Sequence, residues 1–292
     1  MRIDLHSHSA VSDGTEPPAE VVRRARAGGL DVLALTDHDT VAGHAAAAES
    51  LPAGLTLVPG MELSCRRGGQ SIHLLAYLFD PGDADLLAEC VRIRQAREER
   101  GRLTVERLNA LGAPVTWDAV AALAAGGPVG RPHIARAMVA AGVISTPEQA
   151  FTREWIAPGG RAHVSRYALD PERAVRLVRA AGGVPVLAHP KASRRGPVVP
   201  DEWIADLAAA GLFGLEADHL DHHRPARDQV RALARELGLE VTGASDDHGE
   251  LTGHRLGCET TAPEVYERLL SEATGARPIT PAIENPQRTP SP

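Results

Sequence analysis

Aromatic residues are scarce in this chain of 292 residues: Trp, Tyr and Phe occur three times each and together make up 3% of the sequence. The hydrophobic content of 43% must therefore rest on aliphatic side chains, above all Ala, Val and Leu. Such a core suits buried parallel strands covered by helices better than an aromatic-rich β-sandwich. The composition favours an α/β fold, and the length allows one large domain or one domain with an insertion.

Cysteine and long apolar runs are also lacking. Cys65, Cys90 and Cys258 are odd in number and far apart, so neither a disulfide framework nor a C-x-x-C motif is present. The first predicted strand begins almost at Met1, and no apolar run is long enough to cross a membrane. We therefore expect no signal peptide and no membrane anchor, and we predict a protein of the reducing cytoplasm.

An excess of positive charge is missing as well, because the formal net charge is −7. This balance argues against a broadly basic nucleic-acid surface, so we expect no DNA-binding surface. Bound divalent metals would offset part of the negative charge. An anionic substrate would have to be drawn to a local positive site.

Strand-like and helix-like segments alternate along the chain, which is typical of βα units and a parallel sheet. The alternation is interrupted by a strongly helical and charged segment. We predict a βα barrel of six or seven units, split by a helical insertion that forms a substrate cap. The predicted parts are residues 1–82 for the first part of the barrel, 83–164 for the insertion, 165–276 for the second part of the barrel, and 277–292 for a flexible tail.

Nine side chains of the kind that bind metals fall at or just after the ends of predicted strands. Active sites of βα barrels lie at the carboxyl ends of the strands, so these side chains should converge. Imidazoles and carboxylates in this number suit a multinuclear hydrolytic site, whereas a closed structural zinc site needs only four ligands. The nine candidate ligands are His6, His8, Asp13, His38, Glu62, His73, His189, Asp246 and His248.

The spacing of these residues supports shared metals. His6 and His8 are two apart on a strand and point to the same side, and Asp246 and His248 repeat that spacing at the last strand. Glu62 ends another strand and is able to bridge two metals through its two oxygens. We predict catalytic roles for Glu62, Asp246 and His248 as holders of the metals that activate water. The N/O ligands suit manganese, which we favour, or iron or zinc.

The chain resembles the PHP superfamily, named for its polymerase and histidinol phosphatase members. The resemblance covers nearly the whole chain and rests on these segments: Asp4-Leu5-His6-Ser7-His8-Ser9, Ser12-Asp13-Gly14, Thr36-Asp37-His38-Asp39, Gly60-Met61-Glu62, Ala188-His189-Pro190 and Ser245-Asp246-Asp247-His248. It implies a distorted (β/α)7 barrel. The order of motifs and the helical insertion further resemble the branch that dephosphorylates 3′,5′-nucleoside bisphosphates and trims short RNA from its 5′ end.

The resemblance also implies three divalent metal ions. The first would bind His6, His8, Glu62 and Asp246, the second would share Glu62 and add His73 and His189, and the third would bind Asp13, His38 and His248. One departure is Asp247, where related sequences commonly carry an aromatic residue. An extra carboxylate beside two ligands would alter metal affinity or repel an anionic substrate.

The expected function is that of a metal-dependent phosphoesterase in which a hydroxide between two metals attacks phosphorus. The expected substrates are 3′,5′-nucleoside bisphosphates, the 5′ ends of short RNA, or both. Histidinol-phosphate phosphatase and metal-dependent amidohydrolase remain as alternatives, and a non-catalytic partner-binding module is disfavoured because all nine ligands are present. The oligomeric state is left open.

Four residues of the insertion are candidates for substrate binding. Arg131 and His133 lie at a predicted helix start, where free backbone N–H groups favour an anion; the alternative for Arg131 is a solvated charge at a helix end. Arg94 and Arg97 either face the barrel mouth or belong to an ordinary charged helix face. A cluster that follows a later strand either lines the barrel mouth or, as we favour, belongs to a solvated loop: His219, His222 and His223.

Overall fold

The structure, a computed structural model, describes residues 1–124, 129–165 and 167–281. Its strands form one sheet in the order of the sequence. Asp246 donates a backbone hydrogen bond to His6 at 2.9 Å, and Ser7 bridges to Asp247, so the first and last strands nearly close the sheet into a barrel. The strands are β1 (Ile3–Asp4), β2 (Val32–Leu35), β3 (Thr56–Arg67), β4 (Gln70–Tyr77), β5 (Val184–Leu187), β6 (Gly214–Asp218) and β7 (Glu240–Gly243).

The predicted α/β barrel is confirmed, but the expectation of an all-parallel sheet is wrong at β4. This strand is antiparallel to both β3 and β5. Two glycines with positive φ, Gly68 at 55° and Gly69 at 84°, connect β3 to β4 in a two-residue hairpin. Positive φ at both central residues is what such a tight turn requires, and no helix separates the two strands. The reversed strand carries His73 back toward Ser64, its neighbour in the ladder.

The described part of the chain contains helices between the strands, as the predicted alternation requires, and further helices in the segment that interrupts it. Most lie outside the barrel; α8, for example, buries Ala226, Val230 and Ala234 along one face. None of the described helices is long and apolar enough to span a membrane. The helices are α1 (Pro18–Ala27), α2 (His44–Glu49), α3 (Ala84–Ala110), α4 (Trp117–Leu123), α5 (Arg131–Ala140), α6 (Pro171–Ala180), α7 (Asp201–Ala209), α8 (Arg224–Leu237) and α9 (Pro263–Glu272).

Helices α3, α4 and α5 occupy the segment that interrupts the barrel. Asp83 and Thr116 cap α3 and α4, each accepting a backbone N–H with its side-chain oxygen. The three helices bury a separate apolar cluster that includes Leu108, Val120 and Met138. The chain after α9 returns to the barrel, where Ile279 exchanges two backbone hydrogen bonds of 2.8 Å with Leu57. The rest of the predicted tail, 282–292, lies outside the described residues.

Candidate metal centre

The candidate ligands lie where the strands end and the chain turns away from the barrel. Three non-glycine residues there have positive φ: Asp39 at 55°, His189 at 29° and Asp246 at 50°. Such backbone conformations are costly for residues with a Cβ, and they concentrate at functional sites. The barrel end thus holds its ligands in a strained backbone geometry.

Four ligand atoms form a tight group at the centre of the barrel mouth. His6 Nε2 and His8 Nε2 are 3.1 Å apart, and each is 3.2 Å from Asp246 Oδ1. Glu62 Oε2 lies 3.2 Å from His6 Nε2 and 3.1 Å from His8 Nε2. Four atoms bound tetrahedrally at about 2.0 Å from one ion are about 3.3 Å apart, so these separations match one divalent metal. This is the first ligand set that the sequence predicts.

In the tautomer of His6 that carries its proton on Nδ1, the Nε2 atom of this group is free to bind a metal. His6 Nδ1 lies 3.0 Å from Glu216 Oε1, and Glu216 Oε2 accepts the backbone N–H of His189 at 2.8 Å. Burial opposes ionisation of Glu216, but interactions with His6 outweigh it and lower the pKa of Glu216 to about 2. An ionised carboxylate at Nδ1 keeps the proton there and leaves the lone pair on Nε2, the usual arrangement behind a metal-binding histidine.

Glu62 connects this group to a second one. Its Oε1 lies 2.9 Å from His73 Nδ1 and 3.3 Å from His189 Nε2, while its Oε2 lies 3.3 Å from His38 Nδ1. The Nδ1 atoms of His38 and His73 are buried and make no hydrogen bond with the described residues. Buried polar atoms without a hydrogen bond are costly, and a cation between them and the carboxylate removes that cost. Glu62 is therefore placed to bridge two ions.

A third group surrounds Asp13. Its oxygens lie 3.4 Å from His248 Nε2 and 3.6 Å from His38 Nε2, and His8 Nδ1 is also 3.6 Å away. Asp13, His38 and His248 match the third predicted ligand set, with His8 as an additional neighbour. In the second group His38 also lies close to Glu62 and His73, which the sequence did not indicate. The structure thus brings all nine predicted side chains together.

The electrostatics of the group favour bound cations. Burial disfavours ionisation of Glu62 and Asp246, yet the surrounding histidines outweigh it and hold the pKa of both carboxyls well below the usual range. Burial likewise opposes protonation of His6, but Asp246 and Glu62 raise the pKa of that imidazole well above its ordinary value. The same negative charges that attract this proton attract a metal cation, which takes the place of the proton on Nε2 when it binds. Ionised carboxylates and imidazoles are the donor set of Mn, Fe or Zn sites.

Comparison with known proteins agrees with this geometry. Residues 4–110 match the model of the PHP domain. Two curated relatives extend the likeness over most of the chain. A 5′-3′ exoribonuclease of Haemophilus influenzae is 34% identical, over 85% of this chain and 90% of the relative. A 3′,5′-nucleoside bisphosphate phosphatase of Chromobacterium violaceum is 33% identical, over 96% of this chain and 99% of the relative.

The chain belongs to the PHP family.

Two solved PHP-type structures share the fold. A protein of Bifidobacterium adolescentis described as a metal-dependent phosphoesterase superimposes with a TM-score of 0.81 at 34% identity, covering 93% of this chain and 96% of its own. A Chromobacterium violaceum protein described as an amidohydrolase, solved with bound sulfate and no metal, gives a TM-score of 0.79 at 31% identity, covering 94% and 98%. The relatives named for their reaction hydrolyse phosphate esters, so the predicted class of enzyme, a phosphoesterase, is confirmed.

Two histidines behind the PHP metal centre were assigned wrongly from the sequence. His219 and His222 are fully or almost fully buried rather than in a solvated loop. His219 Nδ1 accepts the N–H of Asp221, so its Nε2 carries the proton and donates to Asp246 Oδ2 at 3.3 Å. His222 accepts the N–H of Lys191 at 3.0 Å. Their position just after β6 was the available signal, because strand ends of this barrel point into the site.

His223, the third member of that cluster, is exposed and caps a helix. Its Nδ1 accepts the N–H of Ala226 at 3.1 Å at the start of α8. The assignment to a solvated position therefore fits this residue alone.

Asp247 does not point into the metal centre. Its Oδ1 accepts hydrogen bonds from Arg255 N at 2.7 Å and Thr252 Oγ1 at 3.0 Å, and its Oδ2 accepts from Gly249 N at 3.1 Å. These bonds organise the turn that follows His248. The expectation that this carboxylate disturbs the metals or repels the substrate is wrong, because both oxygens are turned into the loop.

Arg94 and Arg97 attach α3 to the barrel mouth. Arg97 Nη2 donates to Asp39 Oδ2 at 2.9 Å and to Ser64 Oγ at 2.7 Å. Arg94 donates to the carbonyl oxygen of Asp39. Since Asp39 directly follows the ligand His38, the two arginines position the insertion against the site instead of forming a solvated helix face.

Arg131 and His133 lie at the start of α5, as predicted. His133 Nδ1 accepts the backbone N–H of Gly130 at 3.1 Å, which leaves the Nε2 proton free for donation. Burial lowers the pKa of His133, and the nearby charge of Asp13 opposes that shift. Arg131 is half-buried with its guanidinium 5.9 Å from the ring centroid of Phe151, so it is more than a solvated helix-end charge.

A cavity of about 690 Å³ opens beside His38, between the metal centre and the insertion. Apolar side chains from both parts of the chain line it, among them Val11 and Trp117. Arg94 and Gln95 add polar groups at the wall. A cavity of this size, lined by both apolar and polar side chains, suits a small organic ligand with polar groups.

Proposed function

We propose that this PHP protein is a metal-dependent phosphoesterase that hydrolyses phosphate esters of nucleotides, namely 3′,5′-nucleoside bisphosphates, the 5′ ends of short RNA, or both. The observation that carries the proposal is Glu62, whose two oxygens each face a separate group of histidine nitrogens. We infer three divalent ions in the three ligand sets, with manganese as the favoured metal.

Divalent ions held in this way supply an activated water and neutralise oxygens of the phosphoryl group. The protein contributes the ligands: Glu62 and Asp246 would hold the ions of the inner groups, and His248 with Asp13 would hold the outer one. Glu216 and His219 fix the orientation of His6 and Asp246 from behind. No serine or cysteine nucleophile is required.

The substrate-binding roles proposed for the insertion follow from its placement. His133 has a free N–H near Asp13, and Arg131 lies two residues earlier at the same helix start, where N–H groups favour an anion. Arg94 and Arg97 border the cavity beside His38, and we infer that the nucleoside occupies it. In this arrangement the metals would coordinate the phosphate that is hydrolysed, and the base of the nucleotide would contact the insertion.

We place the enzyme in the cytoplasm. The chain has only three cysteines, far apart in the sequence, with Cys65 and Cys90 buried and Cys258 exposed, and such sparse use of cysteine suits a reducing compartment.

The test uses added Mn²⁺ and four substrates. Phosphate release is measured from adenosine 3′,5′-bisphosphate and histidinol phosphate, mononucleotide release from a short 5′-phosphorylated RNA, and acid release from an N-acyl amino acid. We expect turnover of the bisphosphate or the RNA at least a hundredfold above the other two. Turnover of histidinol phosphate alone would keep the metal chemistry and overturn the nucleotide substrate. Turnover of the amide alone would favour the amidohydrolase alternative, which the description of one related structure keeps open.

A further inference from the structure

We propose that Arg66, Arg107, Arg131 and His163 form a second phosphate-binding subsite beside the metal centre, named here the cationic subsite. It would hold the phosphate group of the nucleotide that is not being hydrolysed, either the second phosphate of a bisphosphate or the next phosphodiester of an RNA chain. The inference rests on the proposed nucleotide function and deepens it.

Strand β3 leads from the metals to this subsite. Met61, Leu63 and Cys65 point into the apolar core, so the alternating residues Glu62 and Arg66 share the opposite side. Glu62 reaches the metals, and Arg66 is four residues further along the strand, about 13 Å away. The strand thus carries a metal ligand and a cation on the same side.

Helix α3 supplies the next cation. At 100° per residue, Arg97 and Arg107 are about 80° apart around the helix, whereas Glu99 and Glu106 lie about 160° and 180° from Arg97. Arg97 donates a hydrogen bond to Ser64, which lies between Glu62 and Arg66 on β3, so its side of the helix is turned toward the strand. Arg107, further along the helix, donates to the backbone oxygen of His163.

The charges in the cationic subsite are not compensated by acids. Within the described residues, Arg66, Arg107 and Arg131 form no ion pair with a carboxylate, although other arginines of the same elements do. Those paired arginines are Arg67 with Asp206, Arg97 with Asp39 and Arg102 with Glu98. Like charges gathered without counter-charges repel one another, and a bound anion removes the repulsion.

The members of the subsite are close enough to influence one another. Partial burial lowers the pKa of His163, and the positive charges of Arg131, Arg66 and Arg107 lower it further. Burial also lowers the pKa of Arg131, with Arg66 as the next cause. A neutral His163 still donates an N–H, so the group offers three guanidinium donors and one imidazole donor to phosphate oxygens. In a protein of net charge −7, this local positive charge attracts anions.

The test compares Arg66→Gln and Arg107→Gln with Arg102→Gln, a control on the same helix as Arg107 whose charge is paired with Glu98. The Mn²⁺-loaded full chain is assayed on adenosine 3′,5′-bisphosphate and on p-nitrophenyl phosphate, which has one phosphate. Each subsite variant should raise KM for the bisphosphate about 10-fold, equivalent to about 1.4 kcal/mol. KM for p-nitrophenyl phosphate should stay at the wild-type value, and Arg66→Lys should restore part of the loss. Equal KM values for all variants on the bisphosphate would overturn the proposal.

A 5′-phosphorylated dinucleotide distinguishes the source of the second phosphate. If the subsite variants raise KM for the dinucleotide alone, the cationic subsite binds the phosphodiester of RNA. If they raise KM for the bisphosphate alone, it binds the terminal phosphate. Both results support the subsite.

Binding without turnover separates this inference from the proposed function. Calorimetric titration of the chelator-treated full chain with adenosine 3′,5′-bisphosphate and with adenosine, which has no phosphate, needs no catalysis. The subsite is supported if the wild-type protein binds the bisphosphate more tightly than the other ligand and Arg66→Gln removes this difference. This result would hold even if no nucleotide were hydrolysed. Equal affinity for both ligands in the wild-type protein would contradict it even if hydrolysis were fast.

Discussion

The candidate metal ligands are the residues that the sequence predicts best, because they lie at or just after the ends of strand-like segments in a βα pattern. All nine lie together in the structure, in three groups, two of which share Glu62. The carboxylate behind them, Glu216, was not predicted because it lies inside a short apolar strand, where a single glutamate carries no motif. Only the fold reveals that it faces His6.

Asp246 and its neighbour Asp247 offer a paired test of the ligand assignment. Asp246→Asn removes a charge that faces two histidine nitrogens, and we expect kcat to fall about 10³-fold with the fold retained. Asp247→Asn disturbs only loop hydrogen bonds and should leave kcat unchanged while lowering Tm by about 2–6 °C. Phosphate release and thermal melting monitored by circular dichroism measure both effects. Loss of activity in Asp247→Asn alone would contradict the assignment.

Glu216 should act on metal affinity through His6. Glu216→Gln removes the negative charge that keeps the proton on His6 Nδ1, so we expect Mn²⁺ affinity to fall about 10–100-fold. The control is Glu240→Gln, a half-buried glutamate of the neighbouring strand that pairs with Arg268. Calorimetric Mn²⁺ titration of the two variants gives the comparison. Equal affinities would show that Glu216 is structural only.

At the level of elements, the helices and most strands follow from hydrophobic periodicity, proline at helix starts and glycine after helix ends. The direction of β4 was not predicted, because periodicity reports whether a segment is a strand and not which way it runs. The missing information was in Gly68-Gly69, a pair that permits a two-residue hairpin. The long hairpin matters for function, since it carries both Glu62 and His73.

The two hairpin glycines should respond differently to alanine. Gly69→Ala meets no neighbour within 4 Å and costs only the strain of positive φ, about 1 kcal/mol of unfolding free energy. In Gly68→Ala the new Cβ would also lie 2.9 Å from the Trp203 ring, so the loss should be larger. Urea unfolding of both variants measures the difference. A smaller loss for Gly68→Ala would contradict the described turn.

For the whole molecule, the net charge of −7 and the buried carboxylates point to cations as part of the folded state. The nine candidate ligands are ionisable and most are buried, so under the proposed function the domain should be less stable without its ions. The sequence gives the total charge but not its distribution. The uncompensated arginines around His163 were missed for that reason, since their separation from the acidic residues of α3 exists only in three dimensions.

Metal removal should therefore lower thermal stability as well as activity. A ligand at 100 times its dissociation constant stabilises the folded state by about 2.7 kcal/mol per site. We expect Tm of chelator-treated protein to rise with added Mn²⁺, and to rise less in Glu62→Gln, which loses the carboxylate between two groups. Differential scanning calorimetry over a range of Mn²⁺ concentrations provides the measurement. An identical rise in both proteins would contradict a bridging role for Glu62.

The most direct test of the metal centre is the number of Mn²⁺ ions bound per chain, measured by electron paramagnetic resonance of free Mn²⁺ while phosphate release from adenosine 3′,5′-bisphosphate is recorded on the same samples. We predict three bound ions, with activity appearing only as the sites that share Glu62 fill. One bound ion, or full activity in the metal-free protein, would contradict a multinuclear hydrolytic site.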